Sequence, residues 1–292
     1  MKPTAITSHL ALLSVAILYG VNYSVVKIVT PHYMGAYGFI VYRILFAGII
    51  IWLLNIGNKE KVNWREDGVR LALCGLFGVG INMLMFFKGI SLTSAVNGSI
   101  IMTLIPLFVY SFSVLFLGEQ VVGSKVLGLL MGISGAILII YQPGQLTIGN
   151  WAGDIMIILN ALSYSIYLVL VKPLMHKYTA LTVTKWIFLV GFFVALPVGF
   201  GEAVEIDPAS FPLQVWLSIG YAIVGVTVVV YFLNIWAMRR VSPTVVGTYV
   251  YVQPFVATTV AVLFFGEYLT LVHLLSAFLI FTGIYLVGKK RT

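Results

Sequence analysis

Ser94-Ala95, Pro106, Leu117-Gly118-Glu119 and Gly135 return as Ser242-Pro243, Pro254, Phe265-Gly266-Glu267 and Gly283, each displaced by the same 148 residues. One offset held across about 40 residues is the mark of an internal repeat. Outward from this pair, apolar runs of about 17 to 25 residues, long enough to cross a bilayer, predict helices at 9–29, 35–56, 69–87, 94–116, 123–141, 151–172, 180–200, 213–236, 244–265 and 270–287. They fall into two halves of five, 9–141 and 151–288.

Because five is odd, the second half enters the bilayer from the opposite side. The expected fold is an all-α integral membrane protein with ten transmembrane helices as two inverted five-helix repeats around a central cavity. That architecture builds secondary transporters.

Composition agrees. Of 292 residues, 61% are hydrophobic and only 9% charged, against about 25% charged in soluble domains, so most of the surface faces lipid. The formal charge of +8 sits in short loops, where it sets topology, and no nucleic-acid function is read from it. One cysteine, Cys74, excludes an internal disulfide and a cysteine metal cluster. The first span is too long for a signal-peptide core and is expected to stay as a helix. With the N-terminus in the cytoplasm, 14 of the 17 Lys and Arg residues fall inside, leaving Lys27 and Lys88 outside and Arg43 within a span. The outer loop from Gly201 to Pro212 carries Glu202, Glu205 and Asp207 with no positive charge. Both termini are therefore expected in the cytoplasm.

The first span reads Leu18-Tyr19-Gly20-Val21-Asn22-Tyr23 with Lys27 following, and the second opens Tyr42-Arg43-Ile44-Leu45-Phe46-Ala47. With the two Pro to Gly-Glu helices, this resembles the drug/metabolite transporter superfamily, specifically the ten-helix EamA-type exporters that include exporters of amino acids and metabolites. Tyr19 stands where the family commonly has tryptophan, and Tyr164 stands at the matching place in the sixth helix. The resemblance implies a cavity lined by helices 1, 3, 4, 6, 8 and 9, with 5 and 10 peripheral.

Residue types narrow the chemistry. Polar side chains well inside spans must bond each other or line water; those singled out are Asn22, Asn82, Ser99, Thr103, Asn160, Asn234 and Gln253. Tyr19, Tyr164, Tyr167, Tyr231 and Tyr249 lie within helices rather than at their ends, and with Phe86 they suit an amphiphilic organic solute. Asn160, Tyr164 and Tyr167 share one helix face. These are the candidate substrate-binding residues. Pro106 and Pro254 remove a backbone donor at matching places and are expected to bend their helices, as hinges. Arg43, Glu119 and Glu267 are assigned gating or structural roles, with Arg43 expected to bond carbonyls of a neighbouring helix. Gly128, Gly132 and Gly135 smooth one face of the fifth helix for close packing, and the chain is expected to be a monomer or weak homodimer.

No carboxylate sits near the middle of a span, so a proton relay of that kind is not expected. There is no P-loop lysine, no zinc-binding helix and no nucleophile elbow; no cofactor, metal or enzymatic activity is expected. With Arg43 the one deep cation, a small uncharged or zwitterionic solute is expected, such as an amino acid, exported by alternating access. A sugar-phosphate, drug or lipid carrier of the same superfamily and a membrane sensor without transport are the alternatives.

Overall fold

The computed structural model describes residues 4–30, 32–92, 98, 101–140, 151–256 and 271–288. Ten helical segments run through them: α1 (Ala5–Val29), α2 (Ala36–Leu54), α3 (Trp64–Leu92), α4 (Ile105–Leu117), α5 (Gly123–Ile140), α6 (Trp151–Val171), α7 (Ala180–Val204), α8 (Leu213–Ala237), α9 (Pro243–Thr248, prolonged by a 3-10 turn at Tyr249–Tyr251) and α10 (Leu271–Gly288). Six of the described helices are long and apolar enough to cross a membrane. Among the described residues each expected span is helical over part or all of its length.

The helices pair across the halves. α2 packs on α7, α5 on α10 and α4 on α9, while α1 packs on α8 and α6 on α3. Exchanging the halves maps this set of contacts onto itself, as a two-fold relation between repeats requires. At the α5–α10 seam Gly128 and Gly283 meet: a Cβ on Gly128 would stand 2.7 Å from the Gly283 carbonyl oxygen. The glycine face of α5 is thus spent inside the chain.

Helix ends carry the signals that place them. Pro243 follows Ser242, whose hydroxyl accepts from the Val245 amide at 3.4 Å, a serine cap before a first-turn proline. α4 stops at Gly118, whose φ of 65° lets the Glu119 amide fold back to the Ser113 carbonyl, a left-handed cap that favours glycine. At the start of α2 the Glu202 carboxylate, from the end of α7, accepts from the Tyr37 and Gly38 amides at 2.8 and 3.0 Å. A carboxylate there satisfies orphan donors and meets the positive end of the helix dipole.

Three features differ from the sequence expectation. α3 starts at Trp64 rather than 69 and runs to Leu92 rather than 87, because its first turn carries Glu66 and Asp67; acidic residues suit a helix start but hide it from hydropathy. Pro106 does not bend a continuous helix: the chain turns at residues 103–104 and the proline stands in the first turn of α4. Near Pro254 the missing N–H denies the Val250 carbonyl its α-helical partner, and the backbone tightens to the 3-10 turn.

The third difference is two widened turns. Leu76–Gly80 in α3 and Tyr221–Val229 in α8 are π-helical, and the 148-residue offset carries the first into the second. Such turns shift carbonyls off the α-helical ladder. Side chains from other helices take them up: Ser163 donates to the Phe77 carbonyl and Tyr231 to the Gly78 carbonyl, both at 2.6 Å.

Candidate functional site

Where the halves meet, seven parts of the chain enclose a cavity of about 80 Å³, room for a handful of waters. α1 gives Tyr19 and Asn22, α2 Arg43, α3 Asn82, Met83 and Phe86, and α6 Asn160 and Tyr164. Met102 and Ile105 come from the turn into α4, Tyr231 from α8, and Val250 and Gln253 from α9 and its continuation. All six helices that the resemblance implied contribute, and α2 joins them through Arg43. Among the described residues the wall mixes aromatic rings and amides with this one guanidinium and no carboxylate.

Eight of the singled-out residues meet here: Tyr19, Asn22, Asn82, Phe86, Asn160, Tyr164, Tyr231 and Gln253. Asn160 is oriented by its own bond, its amide nitrogen donating to the Asn82 backbone carbonyl at 2.7 Å. Its Oδ1 is then buried without a partner, as is that of Asn22. Such atoms are expensive unless something fills their place.

The others stand behind or beside the wall. Asn234 holds the Tyr164 hydroxyl at 3.2 Å from behind. Tyr167 is only 1% exposed and packs against Gly78, where a Cβ would come within 2.4 Å of its ring. Thr103 is buried in the turn before α4. Ser99 and Glu267 lie outside the described residues. Sequence reasoning did not single out Met83, Met102, Ile105 and Val250, which are apolar residues in apolar spans and carry no polar signal.

Tyr249 lies toward the end of the bundle that holds the start of α1. There a wider space of about 990 Å³ is lined by His9, Glu119, Lys125, Val245 and others. Val245, Tyr249 and Gln253 follow one another at helical spacing: the first faces this space, the last lines the cavity, and Tyr249 between them bonds its hydroxyl to His9 Nδ1 at 2.8 Å. Glu119 accepts from Lys125 and, at 2.7 Å, from the Thr244 hydroxyl, tying the end of α4 to α9.

Arg43 is 4% exposed. Its Nε donates to the Thr227 hydroxyl at 2.5 Å and its Nη2 to the Val226 carbonyl at 3.4 Å, both in the widened turn of α8. Its carbon Cζ also stands 5.7 Å from the centre of the Phe87 ring, within reach of a cation–π contact.

The comparisons with known proteins agree with this architecture. The EamA-like transporter family matches the chain twice, over residues 6–141 and 151–289. An uncharacterized transporter of Archaeoglobus fulgidus is 27% identical over 274 residues, covering 93% of each chain. A probable terminal-alkyne amino-acid exporter of Streptantibioticus cattleyicolor is 26% identical over 233 residues, 77% of this chain and 74% of its own. A solved crystal structure superimposes with a TM-score of 0.76 over 96% of both chains at 17% identity, which shows the fold. Members of the family are transporters and not enzymes. A ten-helix bundle that repeats itself across the membrane and closes on a small cavity of rings and amides is what such a transporter needs, and this chain belongs to the EamA-like transporter family.

Proposed function

We propose that the chain exports small zwitterionic or uncharged organic solutes, amino acids or related metabolites, across a bacterial inner membrane by alternating access. The observation that carries the reading is the cavity between the halves, lined by Tyr19, Asn22, Asn82, Phe86, Asn160, Tyr164, Tyr231 and Gln253. Its rings offer apolar area and its amides fix polar ends, and its size suits a small solute. Tyr167, Asn234, Tyr249, Thr103 and Ser99 complete the proposed set, supporting the wall or meeting substrate on its way through. The similarity to a relative named as an amino-acid exporter favours the same class.

In this reading residues 9–141 and 151–288 are the moving repeats, with the turn before Pro106 and the 3-10 turn before Pro254 as hinges. Both termini lie in the cytoplasm, and the space beside His9 and Glu119 is the cytoplasmic vestibule. Glu119, with Glu267 as its counterpart, would hold one state closed. A phosphate-bearing sugar is disfavoured because Arg43 is the only cation among the described residues of the cavity wall.

The test is exchange in proteoliposomes preloaded with unlabelled solute and given the same solute radiolabelled. Leucine, threonine and phenylalanine are compared with a sugar phosphate and with empty liposomes. Exchange of an amino acid above the empty-liposome rate supports the reading. Exchange of the sugar phosphate alone, or of nothing by protein shown to be folded, removes it.

A further inference from the structure

The feature that the fold does not require is the charge on Arg43. In the first repeat the carbonyl of Gly78, freed by the widened turn, is satisfied by the neutral hydroxyl of Tyr231 at 2.6 Å. The 148-residue offset carries Gly78 onto Val226, and there the corresponding carbonyl is met by Arg43. A hydroxyl does this work on one side, so satisfying a carbonyl does not explain a guanidinium on the other. A guanidinium carries a desolvation cost that a hydroxyl does not.

Nor does a counter-charge meet it among the described residues. Thr227 and Val226 take two donors, and beyond the Phe87 ring beside it the rest of the planar fork has no hydrogen-bond acceptor among the described residues. Among the described residues none of the ion pairs involves Arg43, and no carboxylate lines the cavity that it faces. Thr227 fixes the guanidinium from behind, and its own hydroxyl donates to the Ala222 carbonyl at 2.7 Å. The unspent edge is the geometry that meets a carboxylate in a forked pair.

The same cavity holds the opposite need. Asn160 has committed its amide nitrogen, and its Oδ1 and that of Asn22 are buried acceptors with no donor. One ligand would satisfy both ends: a molecule with a carboxylate and an ammonium close together.

We infer that Arg43 is the receptor for the substrate's carboxylate, and that the amide oxygens of Asn22 and Asn160 receive its ammonium, so that the cavity selects amino acids over their neutral or purely cationic analogues. This rests on the reading of the cavity as the substrate site and narrows it, since uncharged solutes then fall outside the class.

The test uses the full-length protein in proteoliposomes, with leucine and phenylalanine each compared with the corresponding amide and decarboxylated amine. The acids should exchange faster than the amides and amines by roughly tenfold or more, the scale of hydrogen bonds to a charged group. Arg43→Gln should abolish that preference, lowering exchange of the acids several-fold more than that of the amides, while Arg43→Lys should keep the preference at a reduced rate. A purely structural Arg43 would lower acid and amide alike. If Arg43→Gln does not insert, the wild-type preference and Arg43→Lys decide.

Equal exchange of acid, amide and amine by the wild-type protein overturns the assignment and leaves the transport reading intact. Exchange of none of them by folded protein overturns both. A preference for the acids that survives Arg43→Gln also overturns the role given to Arg43.

Discussion

Tyr231 donates its hydroxyl to the carbonyl of Gly78 at 2.6 Å, a bond that crosses from the second repeat to the first and closes the widened turn of α3. The ring that carries the hydroxyl is fixed edge-on by Phe188, with centroids 4.9 Å apart. The backbone irregularity and the aromatic wall of the cavity are therefore one construction.

Removing the donor alone tests this. Tyr231→Phe keeps the ring and leaves a buried carbonyl unpaired, which costs about 1–3 kcal/mol. Thermal unfolding in detergent should show a lowered midpoint. An unchanged midpoint would mean that the carbonyl finds another partner.

Gly78 has a second role, as the floor on which Tyr167 lies. Gly78→Ala would put a methyl 2.4 Å from the ring, and overpacking of this kind costs about 1–3 kcal/mol. The paired change Gly78→Ala with Tyr167→Leu should recover part of the loss. No recovery would place the strain in the backbone rather than the ring.

Tyr164 lines the cavity. Tyr164→Ala should reduce amino-acid exchange several-fold without reducing the amount of protein in the membrane, and Asn22→Ala should do likewise. Normal exchange in both would remove them from the substrate site.

Stability should fall in acid through a contact outside the bilayer. The Glu60 carboxylate accepts from the Thr179 amide at 2.9 Å and from its hydroxyl at 2.8 Å, joining the loop before α3 to the start of α7. Burial pushes its pKa up, but hydrogen bonds from Thr182 and Thr179 outweigh this and hold it below the ordinary 4.5. A carboxyl depressed in the folded state contributes stability that is complete above the unfolded value and is lost as pH falls through the folded one. Unfolding midpoints followed downward from pH 4.5 should therefore drop more steeply for the wild type than for Glu60→Gln. Parallel curves would exclude Glu60 as a source of the acid sensitivity.

Much of this was legible because a bilayer enforces hydropathy and leaves helices as the only backbone that suits it. The repeat, the spans and the cavity's amides and tyrosines follow from residue type and spacing. The widened turns did not, since hydropathy does not register which carbonyl a given amide meets. The glycines at 75, 78 and 80 in α3 and at 220 and 225 in α8 were the available signal. Spacing put Asn160, Tyr164 and Tyr167 on one face, but that face is wider than the cavity, and Tyr167 passes beneath it to Gly78. Arg43 was visible as a buried charge bonding a neighbour's carbonyl; its place on the cavity wall depends on how α2 is rotated against α8, which one helix cannot encode.

The pairing of helices across the halves bears on how the protein is made. α1, α2 and α3 emerge from the ribosome before their partners α8, α7 and α6 exist, and Glu202, which closes the start of α2, is synthesised some 160 residues later. The first five helices must wait in the membrane with their interlocking faces against lipid or an insertion factor. Assembly of these cross-half pairs thus comes late in synthesis.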